Sequence, residues 1–174
     1  MITLINLEKT NVKEKVKELY LTEFPKYERY PFWLLTYKAK KKNSDFYAVY
    51  DDTDYVGLLY LTYFKDIVYI FYLAIDPSQQ SKGYGSAILQ HLREIYKDKR
   101  LLLNIEKVDP SAANYEQRYN RKIFYEKNGF TNTHFEIETK EIVYEILYSG
   151  KEVYKEEYRA LFKAYLGRIL HCIL

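Results

Sequence analysis

A strand-like run, a two-residue break and a glycine-rich loop follow one another between Ile67 and Ser86, and they restrict the fold more than any other stretch. Ile67-Val68-Tyr69-Ile70-Phe71-Tyr72-Leu73-Ala74-Ile75 is apolar and aromatic throughout and reads as a strand. Asp76-Pro77 breaks it, and Gln80-Ser81-Lys82-Gly83-Tyr84-Gly85-Ser86 follows. The pattern then turns helical, with Ile88, Leu92, Ile95 and Tyr96 expected on one face. Strand, glycine loop and helix start in that order form a cradle for an anion. The first amides of a helix have no intrahelical partner, and the helix dipole adds partial positive charge there. Glycine lets the backbone approach a phosphate without Cβ interference, and Lys82 adds a full charge. A plain strand-to-helix turn, with two glycines serving geometry alone, is the alternative.

Two common phosphate loops are excluded by spacing. A P-loop needs Gly-x-x-x-x-Gly-Lys-Ser/Thr, which this chain lacks. The dinucleotide fingerprint needs a third glycine that Gly83-Tyr84-Gly85 does not have at the required place.

Length and composition narrow the class. A chain of 174 residues with 48% hydrophobic and 29% charged residues suits one soluble globular domain with a real core. No apolar run reaches the ~18 residues that span a bilayer. Met1-Ile2-Thr3-Leu4-Ile5-Asn6-Leu7-Glu8 lacks the layout of a signal peptide. One cysteine, Cys172, allows no internal disulfide and no multi-cysteine zinc site. A cytoplasmic location without a membrane partner is the expectation. A net charge of +3 is too balanced to argue for nucleic acid. The run Lys38-Ala39-Lys40-Lys41-Lys42 reads as a solvated loop.

The remaining elements follow from periodicity. A helix is expected from Asn11 to Pro25, with Val12, Val16, Leu19, Tyr20 and Phe24 as its apolar stripe. A short helix through Tyr37 comes next. Strands are expected at 46–50, 55–64, 67–75 and 101–106, and later at 133–138 and 142–148. A helix over 112–127 is stopped by Asn128-Gly129. Ser149-Gly150 opens a last helix over 151–172, striped by Tyr154, Tyr158, Leu161, Phe162, Tyr165 and Ile169. This order predicts an α/β (α+β) architecture: a mixed, mostly antiparallel sheet of six to seven strands with helices on both faces.

The order Gln80-x-x-Gly83-x-Gly85 resembles the pyrophosphate loop of the GNAT superfamily of acyl-CoA-dependent N-acetyltransferases. Phe124-Tyr125-Glu126-Lys127-Asn128-Gly129-Phe130 resembles that family's Phe-Tyr-x-x-x-Gly-Phe segment. The resemblance covers about residues 1–148, and the segment 151–172 lies beyond it. It implies acetyl-CoA as co-substrate, no metal, and acetyl transfer to a primary amine of a small molecule or a protein. It also raises a homodimer through the last hairpin or helix. A non-catalytic acyl-CoA-binding module on the same fold is the alternative. By position, the resemblance sets Gln80, Ser81, Lys82, Gly83, Tyr84, Gly85 and Ser86 against the pyrophosphate. It sets the backbone of Ala74 and Ile75 against the pantetheine arm, as an added strand would lie. Tyr125 becomes the acid for the departing thiolate, since a phenol near pKa ~10 is neutral at pH 7.

Arg118 stands where many members carry an asparagine, seven residues before Tyr125. Asn120, two positions on, is set against coenzyme A, with Arg118 and Arg121 as alternatives for its phosphates. Glu106, ending a strand, is the candidate base or the group that orients the ammonium; Glu116 and Glu28 are reserves. Tyr27, Glu28, Arg29, Tyr30, Phe32 and Trp33 form an aromatic, charged segment suited to a cationic amine, with Glu28, Arg29 and Phe32 foremost. Capping of the core is the other reading of the same segment. His91, His134 and His171 have no metal-ligand spacing.

Overall fold

The structure is a computed structural model; it describes residues 1–170, with side chains as far as Gly167. His171 and Cys172, and the end of the helix expected over 151–172, lie outside the described residues. Among the described residues seven strands form one mixed sheet in the order β1-β2-β3-β4-β5-β7-β6. They are β1 (Ile2–Asn6), β2 (Ser44–Asp51), β3 (Asp54–Phe64), β4 (Ile67–Ile75), β5 (Arg100–Glu106), β6 (Thr131–Glu138) and β7 (Val143–Ser149). Among the described residues five α-helices accompany them: α1 (Lys13–Glu23), α2 (Phe32–Ala39), α3 (Tyr84–Ile95), α4 (Tyr115–Lys127) and α5 (Lys155–Leu170). The mixed α/β class and the seven strands agree with the sequence, whereas β1 was not expected. It pairs antiparallel with β2, Ile2 opposite Asp51 through Asn6 opposite Tyr47. The basic run departs from its expected loop: Lys38 and Ala39 belong to α2.

The chain divides into two compact units, Met1–Tyr63 with Ile70–Ile95, and Phe64–Tyr69 with the chain from Tyr96 onward. In the first unit, α1 buries Val16, Leu19 and Tyr20, the centre of its predicted stripe. The Tyr20 ring meets Tyr72 edge-on at 4.9 Å and Phe32 at 5.9 Å. Both phenols also do polar work. Tyr20 Oη donates to the Tyr30 carbonyl (2.8 Å), and Tyr72 Oη donates to the Glu28 carbonyl (2.6 Å) while accepting the Tyr30 amide (3.3 Å). Each bond satisfies a buried phenol that would otherwise cost about 1–3 kcal/mol. Together they hold the irregular chain between α1 and α2.

Gly57 sits in β3 against the end of β4. A Cβ there would lie 2.2 Å from the Ala74 carbonyl oxygen, so only glycine permits this approach. The next backbone bond, Asp76 N–H to the Val56 carbonyl (2.9 Å), ends the strand. In α3, Ile88, Leu89 and Leu92 are buried, but Ile95 is 49% exposed, so the apolar face turns away before the residue expected to close it.

In the second unit, β5 runs parallel to the start of β4, with Ile67, Val68 and Tyr69 opposite Arg100, Leu101 and Leu102. On its other edge β5 pairs antiparallel with β7. The last helix starts later than expected. β7 continues to Ser149, Gly150 turns at φ 102°, and α5 begins only at Lys155. Glu157 sets that start: its carboxylate accepts the Tyr154 amide (3.1 Å), which is half of a capping box. Tyr158, Leu161, Tyr165 and Leu166 are then buried, whereas Tyr154 is exposed. Arg100 ties the unit together. It bonds both Asp66 oxygens (2.8 and 2.8 Å), both Glu157 oxygens (3.0 and 2.7 Å) and the Glu152 carbonyl (2.9 Å).

Two outcomes are expected. Gly57→Ala forces a backbone shift and lowers stability by about 1–3 kcal/mol in a denaturant titration. The Arg100 guanidinium holds the Asp66 and Glu157 carboxyls below their usual 3.8 and 4.5. Depressed folded-state values give stability that is complete above pH 4.5 and lost as pH falls through the lower folded-state values. Thermal melts from neutral into strongly acidic buffer should show that acid loss, and Arg100→Gln should flatten it.

Candidate active site

The predicted sequence of strand end, glycine loop and helix start is found in the first unit. β4 ends at Ile75, and a short 3-10 turn (Pro77–Gln79) follows, capped by Asp76, whose Oδ1 accepts the Ser78 amide (3.0 Å). The loop then takes left-handed backbone at Ser81 (φ 63°) and at Gly83 (φ 84°). Such reversals turn successive amides toward one concavity. The helical ladder opens with Ala87 N–H to the Gly83 carbonyl (3.0 Å), so the amides of Tyr84, Gly85 and Ser86 precede it. A Cβ at Gly83 would meet nothing, so glycine is needed there for its φ and not for space. Lys82 is exposed, with Nζ on Gln79 Oε1 (2.9 Å), and Tyr84 Oη donates to Asp51 Oδ2 (3.2 Å).

The structure brings the loop together with the end of β4. Gln80 Nε2 donates to the Ile75 carbonyl (3.2 Å), and Ala74 is buried beneath Gly57. The carbonyl of Ile75 therefore already has a side-chain partner.

The aromatic segment is placed differently from a simple wall. Phe32 packs inward, 5.5 Å from Phe46. Arg29 Nη1 donates to the Leu21 carbonyl (2.8 Å), and Glu28 is half-buried with its carbonyl on Tyr72. Tyr27 and Trp33 are exposed, Trp33 by 68%.

The second unit holds the other candidates. Tyr125 lies in the last turn of α4, half-buried, its ring edge-on to Phe124 (5.1 Å) and Phe130 (5.7 Å). Its carbonyl takes the Phe130 amide (3.1 Å), so the Gly129 turn folds back under the ring. Burial pushes the phenol above the usual tyrosine value, and the Arg121 charge only partly offsets this. Among the described residues its Oη has no hydrogen-bond partner. Glu106 ends β5 with 4% exposure; its Oε2 accepts Asn114 Nδ2 (2.9 Å) and pairs with Arg118 Nε (3.2 Å). Arg118 also donates to the Lys107 carbonyl (3.0 Å), which commits it to protein groups rather than to a phosphate. Asn120 and Glu116 are exposed on α4.

Sequence reasoning missed one group. Glu145 in β7 is 5% exposed and pairs with Lys122 Nζ (2.6 Å). A single carboxylate inside Val143-Tyr144-Glu145-Ile146-Leu147 was the available signal; its partner lies too far along the chain to be read locally. The His134 side chain is exposed, and no group of three metal-ligating side chains occurs among the described residues. No helix among them is long and apolar enough to cross a membrane.

A family model described as an acetyltransferase (GNAT) domain matches residues 42–132. No curated protein matches the chain. Solved structures share the fold. A Bacteroides thetaiotaomicron protein assigned to the GNAT family is 20% identical over 98% of each chain, with a TM-score of 0.78. A Bacillus subtilis acetyltransferase in complex with CoA is 18% identical over 87% of this chain and 98% of its own, at 0.60. A variant of the Vibrio cholerae spermidine N-acetyltransferase is 13% identical over 97% and 96%, also at 0.60. The first of these likenesses extends through most of α5.

Gly83→Ala should cost about 1–2 kcal/mol from its left-handed backbone alone, since no neighbour obstructs the new methyl. Chemical denaturation of the two proteins measures this directly.

Proposed function

The chain belongs to the GNAT acetyltransferase family, and we propose that it transfers an acetyl group from acetyl-CoA to a primary amine by direct attack in a ternary complex. The observation that carries this reading is the loop at 80–86, with left-handed Ser81 and Gly83 and three amides ahead of the α3 ladder. Those amides, the helix dipole and Lys82 suit a pyrophosphate. The edge of β4 at Ala74 and Ile75 suits the pantetheine amides. In this reading residues 1–148 are the catalytic core, and the segment from 151 is an extension.

The chemistry needs a deprotonated amine and a protonated leaving group. Glu106 takes the ammonium proton, directly or through water. The amine nitrogen then bonds to the acetyl carbon as the C–S bond breaks, and Tyr125 delivers its proton to the sulfur. A phenol held above its usual value stays protonated at neutral pH, which suits an acid. Asn120 serves coenzyme A, and Glu28, Arg29 and Phe32 border the acceptor. A carboxylate and aromatic rings there favour a cationic amine on a small molecule or a protein.

One observation favours the alternative, an acyl-CoA-binding module without turnover. Glu106 is already held by Arg118 and Asn114, as a structural carboxylate is.

The deciding experiment follows thiol release from acetyl-CoA against polyamines, amino acids, aminoglycosides and peptides, with CoA calorimetry beside it. Turnover with one amine class supports the transferase. CoA binding without turnover supports the module, and absence of CoA binding overturns the reading of the loop. Tyr125→Phe should lower kcat by about 10²-fold with little change in KM for acetyl-CoA. Loss of the Tyr125 proton should depress kcat only above the usual tyrosine value of 10.0, and Tyr125→Phe should lack that limb.

A further inference from the structure

We infer that Glu145 is a positioning residue for Tyr125, acting through Lys122 and the α4 face that Lys122 and Tyr125 share; this rests on the reading of Tyr125 as the acid. No residue of α4 is fully buried. Apolar burial is the usual means by which a helix is fixed against its sheet, and here that means is weak. Polar pairs take its place. Arg118, Lys122 and Tyr125 follow at i, i+4 and i+7 and so lie along one face. Arg118 is bound to Glu106 and to the Lys107 carbonyl. One turn on, Lys122 Nζ meets Glu145 Oε2 at 2.6 Å. Tyr125 occupies the following turn.

Glu145 gathers three donors from three elements. Val108 N–H comes from the chain leaving β5 (3.2 Å), Lys122 from α4 and Asn132 Nδ2 from β6, where the β6–β7 register shifts. It lies opposite Ile105 of β5, beside Glu106. Rotation or sliding of α4 would pull Arg118 and Lys122 away from nearly buried carboxylates, which is strongly unfavourable. The pair at Lys122 is the nearer of the two to Tyr125 along the helix, so it sets where the phenol stands. An amide in place of the carboxylate offers one acceptor oxygen to three donors, so Glu145→Gln loosens the anchor while keeping the shape of the side chain.

The test is a double-mutant cycle of Glu145→Gln with Tyr125→Phe, read as kcat and KM for acetyl-CoA. Glu145→Gln should lower kcat about 10-fold with KM within about twofold, as a misplaced acid does. In the Tyr125→Phe background the same substitution should change kcat by less than about twofold. An equal loss in both backgrounds, or an unchanged kcat in Glu145→Gln alone, overturns the inference. Should Glu145→Gln fail to fold, Lys122→Met takes its place in the cycle with the same expectations. Full turnover by Tyr125→Phe alone would remove the acid reading itself and the inference with it. A Tyr125→Phe loss combined with additive effects would remove only the role of Glu145.

Discussion

The close approach of β3 to the end of β4 at Gly57 is the contact on which the first unit turns. Without a Cβ, Gly57 lets the Ala74 carbonyl come within a distance no other residue allows. That approach sets where β4 stops, because the next backbone bond is Asp76 N–H to the Val56 carbonyl. Asp76 in turn caps the 3-10 turn, and Lys15 from α1 pairs with it at 3.3 Å. The glycine loop and the start of α3 inherit their positions from this sequence of bonds. The loop at 80–86 thus depends on a glycine well upstream of it, in a different strand.

The second unit meets a different constraint. Its α4 carries polar groups where a helix usually carries apolar ones, and the strands it meets present Glu106 and Glu145. Two acids and two bases, Arg118 and Lys122, balance in charge at low exposure. Such pairs rarely add much net stability, because desolvation opposes the attraction. What they supply is direction, since each holds only in one geometry.

Strand and helix types were legible wherever periodicity was strong. The run 67–75 and the loop at 80–86 could be placed from sequence because apolar patterning and glycine are local signals. β1 was not legible, since five residues at an edge carry too little pattern to stand out. The start of α5 was misplaced because Ser149-Gly150 looks like a helix opening, while the cap that decides the matter is Glu157, reaching back to Tyr154. Among the candidate site residues, Tyr125 could be proposed from the resemblance carried by 124–130, and Glu106 from its residue type at a strand end. Their surroundings could not: the hold of Arg118 on Glu106, the Gln80 bond to Ile75 and the Glu145 cluster all join residues that only folding brings together.

The two phenols that anchor the chain between α1 and α2 bond that segment through main-chain atoms, the carbonyls of Glu28 and Tyr30 and the amide of Tyr30. The hydrogen bonds themselves are indifferent to which side chains the anchored segment bears. The exposed Tyr27 and Trp33 can therefore exchange charge, size and aromaticity over evolutionary time while the path of the chain stays the same, whereas Tyr30 and Phe32 are also held by their rings, against Phe71 and against Tyr20 and Phe46. Sequence drift at those two exposed positions leaves the fold intact.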